Sequence, residues 1–405
     1  MRGLYLHIPF CEKKCIYCDF YSLETTNLIE EFVETLLTEI DLRAAQMQGF
    51  QGEFDTIFFG GGTPSLLTVE QMSRILTRLH KHFRIAAGAE QTMECNPGTI
   101  TPETLRGYRG LGLNRLSYGV QSFFAEDLTF LSRIHTSSEA EDAVKLSRDA
   151  GFENVNLDLM FALPNQSFER WQANLETALR LETNHISAYS LIFEPGTPLN
   201  AMLREGRVRK QDEERDAEMY DYAIHLLAEH GYEQYEVSNF AKGGKVCLHN
   251  CIYWQGDEYL SFGPSAHGYW NGVRYWNARS LKRYTDSVRS GTLPVANSEK
   301  LTPKDQMFER AFLELRARGI RKQAFMRDFG ISIDTALAPL VKEFTRDGLL
   351  LNSEDRIKCS PKGYAVCDAI TLEMIALLEK HVGEAWRESV GAGTIAHETL
   401  IAEEV

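Results

Sequence analysis

Three cysteines near the start of the 405-residue chain, Cys11, Cys15 and Cys18, follow the spacing CxxxCxxC, and no fourth cysteine lies close by. Protein thiolates bind zinc or iron–sulfur clusters. A zinc site takes four ligands, so these cysteines would need a distant fourth one. On a cubane cluster, three thiolates leave one iron open to a ligand that the protein does not supply. The spacing therefore favours a 4Fe–4S cluster with one open iron.

A glycine-rich segment, residues 60–64 (GGGTP), directly follows an apolar stretch. Glycines let a backbone come close to a ligand, although such a segment can also be only a tight turn. Further along, Glu94, Gln121 and Asp158 stand at or near the ends of apolar stretches, and Arg133 comes soon after Gln121. Each could be a satisfied buried polar group. Together they favour a ligand site along one edge of a parallel sheet.

Six short apolar segments are predicted to be strands, with helical patterns between them. Strands that alternate with helices form a parallel sheet, because parallel neighbours need long crossover connections. Six units are too few for a closed eight-stranded barrel, so we expect an α/β fold with an open, partial (six-unit) β/α barrel and ligands at the carboxyl ends of its strands. The predicted strands are residues 4–8, 56–59, 92–95, 116–120, 155–159 and 186–191.

Three helix starts carry recognisable N-terminal signals. Thr68 with Gln71 has the spacing of a capping box, and so has Ser138 with Glu141. Thr101 precedes a proline, which suits an N-cap followed by the first helical residue.

The alternating pattern ends near residue 204, and we predict four regions. Residues 1–204 would form the partial barrel with the cluster. Residues 205–300 would connect it onwards, with a charged helix followed by irregular structure and short strands. Residues 301–375 combine helices with a hairpin over 349–360, which is typical of a winged-helix-like domain. Residues 376–405 would be a helical and acidic tail.

The composition is that of a globular protein, with 43% hydrophobic and 25% charged residues and a net charge of −14. This negative charge argues against nucleic acid as a partner. The sequence contains no run of about 18 apolar residues, so we expect no membrane-spanning helix. The first predicted strand begins at residue 4, which leaves no room for a signal peptide before it. We expect a cytoplasmic protein that reaches a membrane only through a partner.

The stretch 5–18, YLHIPFCEKKCIYC, together with residues 60–64 and Glu94, resembles the radical S-adenosylmethionine (SAM) superfamily. Within it, the chain is similar to the heme-chaperone branch of the coproporphyrinogen dehydrogenase-like group, over roughly residues 1–375. The resemblance implies that the three cysteines hold a 4Fe–4S cluster and that SAM occupies the open iron. In this superfamily an electron, delivered to the cluster by an electron donor, cleaves SAM to a 5′-deoxyadenosyl radical.

The resemblance also implies which residues contact SAM. Tyr5, Gly61 and Glu94 match positions that bind SAM. The positions that match those holding a second molecule in the dehydrogenase are Gly62, Thr63, Gln121, Arg133 and Asp158. Glycine backbones allow close approach, carboxylates suit ammonium or ribose hydroxyl groups, and arginine suits a carboxylate. The predicted SAM-binding residues are Tyr5, Tyr17, Gly61, Gly62, Thr63, Glu94, Gln121, Arg133 and Asp158.

A second motif that the resemblance covers is HNxxYW, formed by His249, Asn250, Tyr253 and Trp254. These residues are predicted heme contacts, because imidazole can ligate heme iron and aromatic side chains pack against a macrocycle. Alternatively, His249 is a hydrogen-bonded histidine and the aromatic residues belong to the core. Competing candidates for the iron ligand are Cys247, Cys251 and His267.

Two departures separate this chain from the oxygen-independent dehydrogenase. That enzyme has another cysteine two positions after the third, whereas here Cys18 is followed by Asp19 and Phe20. It also has a long N-terminal extension before the cluster motif. We therefore expect a protein that binds heme, a cluster and SAM, and transfers heme to acceptor hemoproteins, including membrane-associated ones. The alternative is coproporphyrinogen III dehydrogenase, which forms protoporphyrinogen IX by radical decarboxylation.

Overall fold

The computed structural model describes residues 1–391 and divides into two compact units, of which the first is Met1–Leu301 and the second begins at Thr302. The strands are β1 Arg2–Ile8, β2 Phe10–Cys11, β3 Leu23–Glu24, β4 Glu53–Gly61, β5 Arg84–Cys95, β6 Arg115–Gln121, β7 Asn154–Phe161, β8 His185–Ser190, β9 Glu233–Gln234, β10 Asn239–Ala241, β11 Glu258–Phe262, β12 His267–Trp270, β13 Val273–Asn277, β14 Val295–Lys300, β15 Ile320–Arg321, β16 Leu350–Asn352 and β17 Arg356–Cys359. The α-helices are α1 Ile29–Gln46, α2 Val69–His82, α3 Pro102–Gly110, α4 Ala125–Phe130, α5 Ser137–Asp149, α6 Phe168–Arg180, α7 Pro198–Arg204, α8 Glu213–Glu229, α9 Leu248–Trp254, α10 Leu281–Arg289, α11 Pro303–Leu315, α12 Lys322–Phe329, α13 Ile333–Ala336, α14 Ala338–Arg346, α15 Pro361–Tyr364 and α16 Cys367–Gly391.

Twelve strands of the first unit form one sheet in the order β14-β13-β12-β11-β1-β4-β5-β6-β7-β8-β10-β9. The six predicted strands all overlap observed ones, β1 and β4 to β8, and each neighbouring pair among them is parallel. At least one helix lies between each consecutive pair in the chain, as crossover connections require. The predicted α/β fold with a parallel sheet is confirmed, and the carboxyl ends of β4 to β8 lie along one edge.

Strand β1 shows how this sheet positions side chains for a site. Leu4, Leu6 and Ile8 are fully buried in the hydrophobic core. Tyr5 and His7 lie on the opposite face, because successive side chains of a strand alternate. The strand pairs in parallel with β4 on one side and with β11 on the other. The two neighbouring strands therefore fix the positions of Tyr5 and His7 on the face of the sheet opposite the core.

Two of the three predicted helix starts are confirmed, and one is displaced. Thr68 and Thr101 are the N-caps of α2 and α3, and each forms a capping box. The box predicted at Ser138 is wrong, because Thr136 caps α5 together with Glu139. The segment TSSEAE contains two pairs with the same spacing, and the earlier pair is the one that satisfies the backbone N–H groups at the helix start.

Residues 205–300 are more regular than the sequence predicts. The charged helix is present as α8, but the stretch after it contributes β9 to β14, all of which join the twelve-stranded sheet. This region lies in the same compact unit as residues 1–204. Strand β11 pairs with β1, so that Arg2 lies opposite Glu258. Pairing between such distant residues leaves no signal in the local sequence pattern.

The second unit contains α11 to α16 and a three-stranded sheet in the order β15-β17-β16. The hairpin predicted over 349–360 is present as the antiparallel pair β16 and β17. The predicted tail is helical as far as Gly391, and residues 392–405 lie outside the described residues. Within the part of the chain that the structure describes, no helix has both the length and the apolar character needed to cross a membrane.

Candidate functional site

A cavity of about 460 Å³ lies at the carboxyl ends of the parallel strands in the first unit. Its wall combines the loop that carries the three cysteines, the glycine-rich segment after β4, and side chains of β5 to β8. Among the predicted cluster and SAM residues, Tyr5 stands apart, because it lies earlier along its strand. The wall includes Cys11, Cys15, Tyr17, Cys18, Gly61, Gly62, Thr63, Glu94, Gln121, Arg133 and Asp158.

The cysteine loop presents three half-buried thiols to this cavity. The Thr63 hydroxyl donates a hydrogen bond to Cys11 Sγ at 3.6 Å, and Arg133 Nη1 donates one to Cys15 Sγ at 3.3 Å. The Cys18 N–H donates to the Cys15 carbonyl at 3.3 Å and so holds the loop in a turn. Donors that point at sulfur stabilise thiolate charge and tune the potential of a cluster.

Burial raises the pKa of the Cys11 thiol, and it raises the pKa of Cys18 to about 11. A bound metal centre reverses this effect, because it deprotonates the thiols that coordinate it. Among the side chains that the structure describes, no three from His, Cys, Asp or Glu converge on a position for a single metal ion. Each thiolate of a cubane binds a different iron, so the ligands of a cluster do not need to converge in this way.

The glycine-rich segment packs tightly against the chain that leads to Cys11. The Gly62 N–H donates to the Ile8 carbonyl at 2.8 Å, and the Thr63 N–H donates to the Phe10 carbonyl at 2.7 Å. A Cβ atom on Gly62 would lie 2.6 Å from the Phe10 carbonyl oxygen. The two backbone donors are thus used by the protein itself, and glycine is required here for a close crossing of two chain segments.

Glu94 links the glycine-rich segment to the interior of the sheet. Its Oε2 accepts a hydrogen bond from the Gly61 N–H at 3.1 Å. Burial, together with the charge of Asp158, raises the pKa of Glu94 to about 7. A bound cation would favour the ionised form, so this carboxyl group suits an ammonium group or ribose hydroxyls.

Tyr5 and His7 form a pair beneath the glycine-rich segment. The Tyr5 hydroxyl is hydrogen-bonded to His7 Nδ1 at 3.2 Å, and His7 Nε2 to the Tyr21 carbonyl at 2.8 Å. Burial lowers the pKa of His7 to about 4, so the ring is neutral, with its proton on the nitrogen that faces the carbonyl. Gly61, at φ +105°, packs against this ring, since a Cβ there would lie 2.5 Å from it.

Arg133 connects the cysteine loop to the strand ends. Its Nη2 donates to Asn96 Oδ1 at 2.6 Å and also to the Gly119 carbonyl. Its Nε is buried and has no hydrogen-bond partner among the residues that the structure describes. Gln121, which accepts a hydrogen bond from the Tyr189 hydroxyl at 2.7 Å, has φ +67°, a strained conformation for this residue type. Strained backbone conformations and unpaired buried donors are typical of binding sites.

Two further residues of the cavity wall, Asn96 and Tyr189, were not predicted from the sequence. Asn96 directly follows β5 and also donates to Thr63 Oγ1 at 3.3 Å, so it joins Arg133 to the threonine beside Cys11. The strand-end rule that selected Glu94 could have found it. Tyr189 lies inside a predicted strand, where an aromatic residue is ordinary, and no local signal marks it.

The HNxxYW motif forms most of the short helix α9, and His249 is fully buried there. Its Nδ1 is 2.6 Å from Thr56 Oγ1, and its Nε2 is 2.7 Å from the Tyr253 hydroxyl. Burial lowers its pKa to about 3, which leaves the ring neutral. Both ring nitrogens therefore have protein partners, and ligation of iron by His249 would require the ring to leave them.

The other candidate heme contacts differ in how accessible they are. Asn250 and Trp254 are half-buried, and Cys247 and Cys251 are buried. His267, on β12, is exposed and stacks on Trp276, with 5.8 Å between the ring centroids. Among the ligands considered, His267 thus offers an imidazole that a large planar molecule can reach.

Comparison with known proteins places the chain in a family. Residues 5–178 match the Radical SAM superfamily model, and residues 301–366 match the HemN C-terminal domain. Heme chaperone HemW of Bacillus subtilis is 35% identical over 90% of this chain and 96% of its own length. The HemW protein of Escherichia coli is 41% identical over 66% of this chain and 69% of its own.

This chain belongs to the HemW-like branch of the radical SAM superfamily. Among solved structures, coproporphyrinogen III oxidase (HemN) from Escherichia coli has a TM-score of 0.79 to it at 23% identity, covering 92% of this chain and 89% of that one. At this identity the likeness concerns the fold alone.

Membership in the radical SAM superfamily implies a 4Fe–4S cluster and SAM, and the residues that line the cavity fit both. Three half-buried thiols suit a cluster, and two of their sulfur atoms accept hydrogen bonds from neighbouring side chains. The unpaired Nε of Arg133 suits a carboxylate, and the half-buried carboxyl groups of Glu94 and Asp158 suit an ammonium group or hydroxyls.

Proposed function

We propose that this protein is a heme chaperone of the radical SAM type, which binds a 4Fe–4S cluster and SAM, binds heme, and transfers it to acceptor hemoproteins. The observation that carries the proposal is the single cavity that joins three thiols to Glu94, Arg133 and Asp158, in a chain related to HemW proteins over nearly its whole length.

Each part of the cavity has a proposed task. Cys11, Cys15 and Cys18 would hold the cluster, which, once reduced with SAM bound, supplies the electron that cleaves SAM. Arg133 would bind the SAM carboxylate, and Glu94 would accept hydrogen bonds from its ammonium or ribose groups. Further contacts with SAM would come from residues that line the same wall, namely Tyr17, Gly61, Gly62, Thr63, Gln121 and Asp158. Tyr5 would support this wall from below.

Heme binding is proposed because relatives that match nearly the whole chain are named heme chaperones. Asn250, Tyr253 and Trp254 are proposed contacts, and the exposed His267 is the imidazole with the best access. The proposed partners are an electron donor for the cluster and acceptor hemoproteins, including membrane-associated ones, in the cytoplasm. The negative net charge does not favour nucleic acid.

The test of heme handling uses anaerobically reconstituted full-length protein. Titration with ferric heme should give a saturable, stoichiometric change in the Soret band, followed by transfer to an apo-hemoprotein. His267→Ala should alter that band if this imidazole ligates iron, whereas His225→Ala, an exposed histidine on α8, should not. Absence of stoichiometric binding by protein with an intact cluster would remove the heme function.

The same preparation tests the dehydrogenase alternative. With SAM and a reductant, it should cleave SAM without converting coproporphyrinogen III to protoporphyrinogen IX. Cys15→Ala should lower the iron and sulfide content, whereas Cys359→Ala in the second unit should leave both unchanged. Formation of protoporphyrinogen IX would identify an enzyme instead of a chaperone.

A further inference from the structure

The helix that carries the HNxxYW motif is fastened to the strands that build the SAM cavity. Glu90 on β5 accepts hydrogen bonds from the backbone N–H groups of Leu248, at 2.9 Å, and His249, at 3.0 Å. A carboxylate in this position satisfies unpaired donors at a helix start. Glu90 and Glu94 lie four residues apart on the same strand, so their side chains face the same side of the sheet. The helix therefore lies under the face that carries Glu94.

The ring of His249 links the helix to the sheet through hydrogen bonds at both of its nitrogens. Its two nitrogens join Thr56 on β4 to Tyr253 on the helix itself, at 2.6 and 2.7 Å. The space around the ring is full, because a Cβ atom on Gly3 of β1 would lie 2.8 Å from His249 Cε1. One side chain thus fixes the distance between α9 and two central strands of the sheet.

The same ring lies parallel to the aromatic residues below the cavity. It stacks on Phe58, with centroids 5.0 Å apart and 25° between the planes, and on Tyr5 at 6.3 Å and 27°. Tyr5 in turn is hydrogen-bonded to His7, and Gly61 packs against that ring. A continuous series of contacts therefore runs from His249 through Tyr5 to the glycine that donates to Glu94.

These contacts also weigh against a direct role in binding iron. To ligate heme, the His249 ring would have to give up its hydrogen bonds to Thr56 and Tyr253 and leave both hydroxyl groups without this partner inside the protein. It would also have to leave a fully buried position.

We propose that His249 is a positioning residue of the SAM site, which holds Tyr5 and the glycine-rich segment in place, and is not the axial ligand of heme. The inference rests on the proposed function only in that SAM binds in the cavity. The histidine of the HNxxYW motif would thus serve the SAM cavity by keeping its wall in position.

Three substitutions test the proposal in the reconstituted full-length protein. Thr56→Val removes the hydroxyl that pairs with His249 Nδ1 and keeps a side chain of similar size. Tyr253→Phe removes the hydroxyl that pairs with His249 Nε2, and His249→Gln replaces the ring itself. Each should weaken SAM binding about tenfold, the effect of one lost hydrogen bond, as measured by anaerobic equilibrium dialysis. The Soret band of the heme complex should stay unchanged in Thr56→Val and in His249→Gln, which alter no proposed heme contact.

Matched controls separate positioning from a general loss of stability. Thr38→Val and His225→Gln change exposed residues of the same types, and both should bind SAM as the wild type does. Leu175→Ala lowers the melting temperature through the core of α6 and should leave SAM affinity unchanged. Addition of SAM should also perturb the electron paramagnetic resonance spectrum of the reduced cluster less in Thr56→Val than in this control.

The outcomes decide the proposal in either direction. A Soret shift in His249→Gln alone, with SAM affinity retained, would show that His249 is a heme ligand and overturn it. Unchanged SAM affinity in all three variants would overturn it too. If His249→Gln does not fold, Thr56→Val and Tyr253→Phe still decide. A wild-type protein that binds no SAM would refute the proposed SAM site, whereas the heme titration would still report on His249.

Discussion

Arg133 is the residue through which the cysteine loop contacts the strand ends. Its guanidinium reaches Cys15 Sγ, Asn96 and the Gly119 carbonyl, and its Nε remains unpaired. A guanidinium has five donors in a rigid plane, and lysine cannot reproduce that geometry. The residue can therefore hold the loop and offer one donor to a carboxylate at the same time.

Replacing Arg133 with lysine should weaken SAM binding by about ten- to a hundredfold, because a charge-assisted hydrogen bond contributes about 1.5–3 kcal/mol. The iron content should stay near that of the wild type, since the cysteines remain. Equilibrium dialysis and iron analysis measure both quantities. Arg180→Lys, at an exposed position on α6, is the matched control. Equal SAM affinity in the two variants would contradict the role of Arg133.

Glu94 makes folding stability depend on pH. Its pKa is about 7 in the folded protein, against an ordinary value of 4.5, because burial and Asp158 disfavour its charge. A carboxyl group with a raised pKa binds protons more strongly when folded, so its contribution to stability falls as the pH rises from about 4.5 through about 7. Above that range the full penalty for a buried charge is present.

In protein without cluster or SAM, Glu94→Gln should therefore flatten the pH dependence of the melting temperature. The advantage of the variant over the wild type should grow between about pH 5 and pH 8. Thermal unfolding across this range measures it. Glu236, whose pKa burial also raises to about 7, titrates in both proteins and cancels in the comparison. Parallel profiles for the two proteins would refute the assignment.

At the scale of elements, the crossing of β1–β2 by the glycine-rich segment shapes the cluster site. Two backbone hydrogen bonds fasten the segment to the carbonyls of Ile8 and Phe10, immediately before Cys11. The contact leaves no space for a side chain at Gly62. The position of Cys11 thus depends on the end of β4, a separate element of the sheet.

Gly62→Ala should displace this crossing, because the added Cβ would meet backbone atoms that cannot rotate away. We expect the free energy of unfolding to fall by about 1–3 kcal/mol, as in other overpacked sites. The iron content after reconstitution should fall as well. Gly98→Ala is the control, since its Cβ would only reach Glu139 at 3.7 Å. Chemical denaturation and iron analysis of both variants measure the difference.

At the scale of the whole molecule, Glu39 shows how distant segments of the first unit are joined. This fully buried carboxyl group of α1 accepts hydrogen bonds from the Gly263 N–H, Asn277 Nδ2 and the Tyr284 hydroxyl, each at 2.7 Å. Burial raises its pKa. The helix after the cysteine loop is thereby tied to residues more than 200 positions later, beside the strands that extend the sheet from β1.

Glu39→Ala should lower the free energy of unfolding by about 3–5 kcal/mol, because it leaves three buried donors without their acceptor. Glu34→Ala on the same helix is the matched control. Glu34 pairs with Arg74 at the surface, where an ion pair contributes at most about 1 kcal/mol. Urea denaturation of both variants gives the comparison, and similar losses would show that the buried carboxylate does not join these segments.

The sequence alone determined the features that depend on neighbouring residues. The spacing of Cys11, Cys15 and Cys18, the six parallel strands, and the caps at Thr68 and Thr101 were all predictable, because ligand spacing, alternation and capping are local. The box at Ser138 failed because the local pattern offered two equivalent solutions.

Only the tertiary structure decided what the distant residues do. Three features depend on partners from separate strands and helices. They are the hydrogen bonds to Glu39, the backbone hydrogen bonds of Gly62 and Thr63, and the enclosure of His249 between Thr56 and Tyr5. A sequence motif states which side chains are present, but burial and hydrogen-bond partners determine whether a histidine meets a ligand or holds a wall in place. Those partners are fixed by packing across the sheet, which no local pattern encodes.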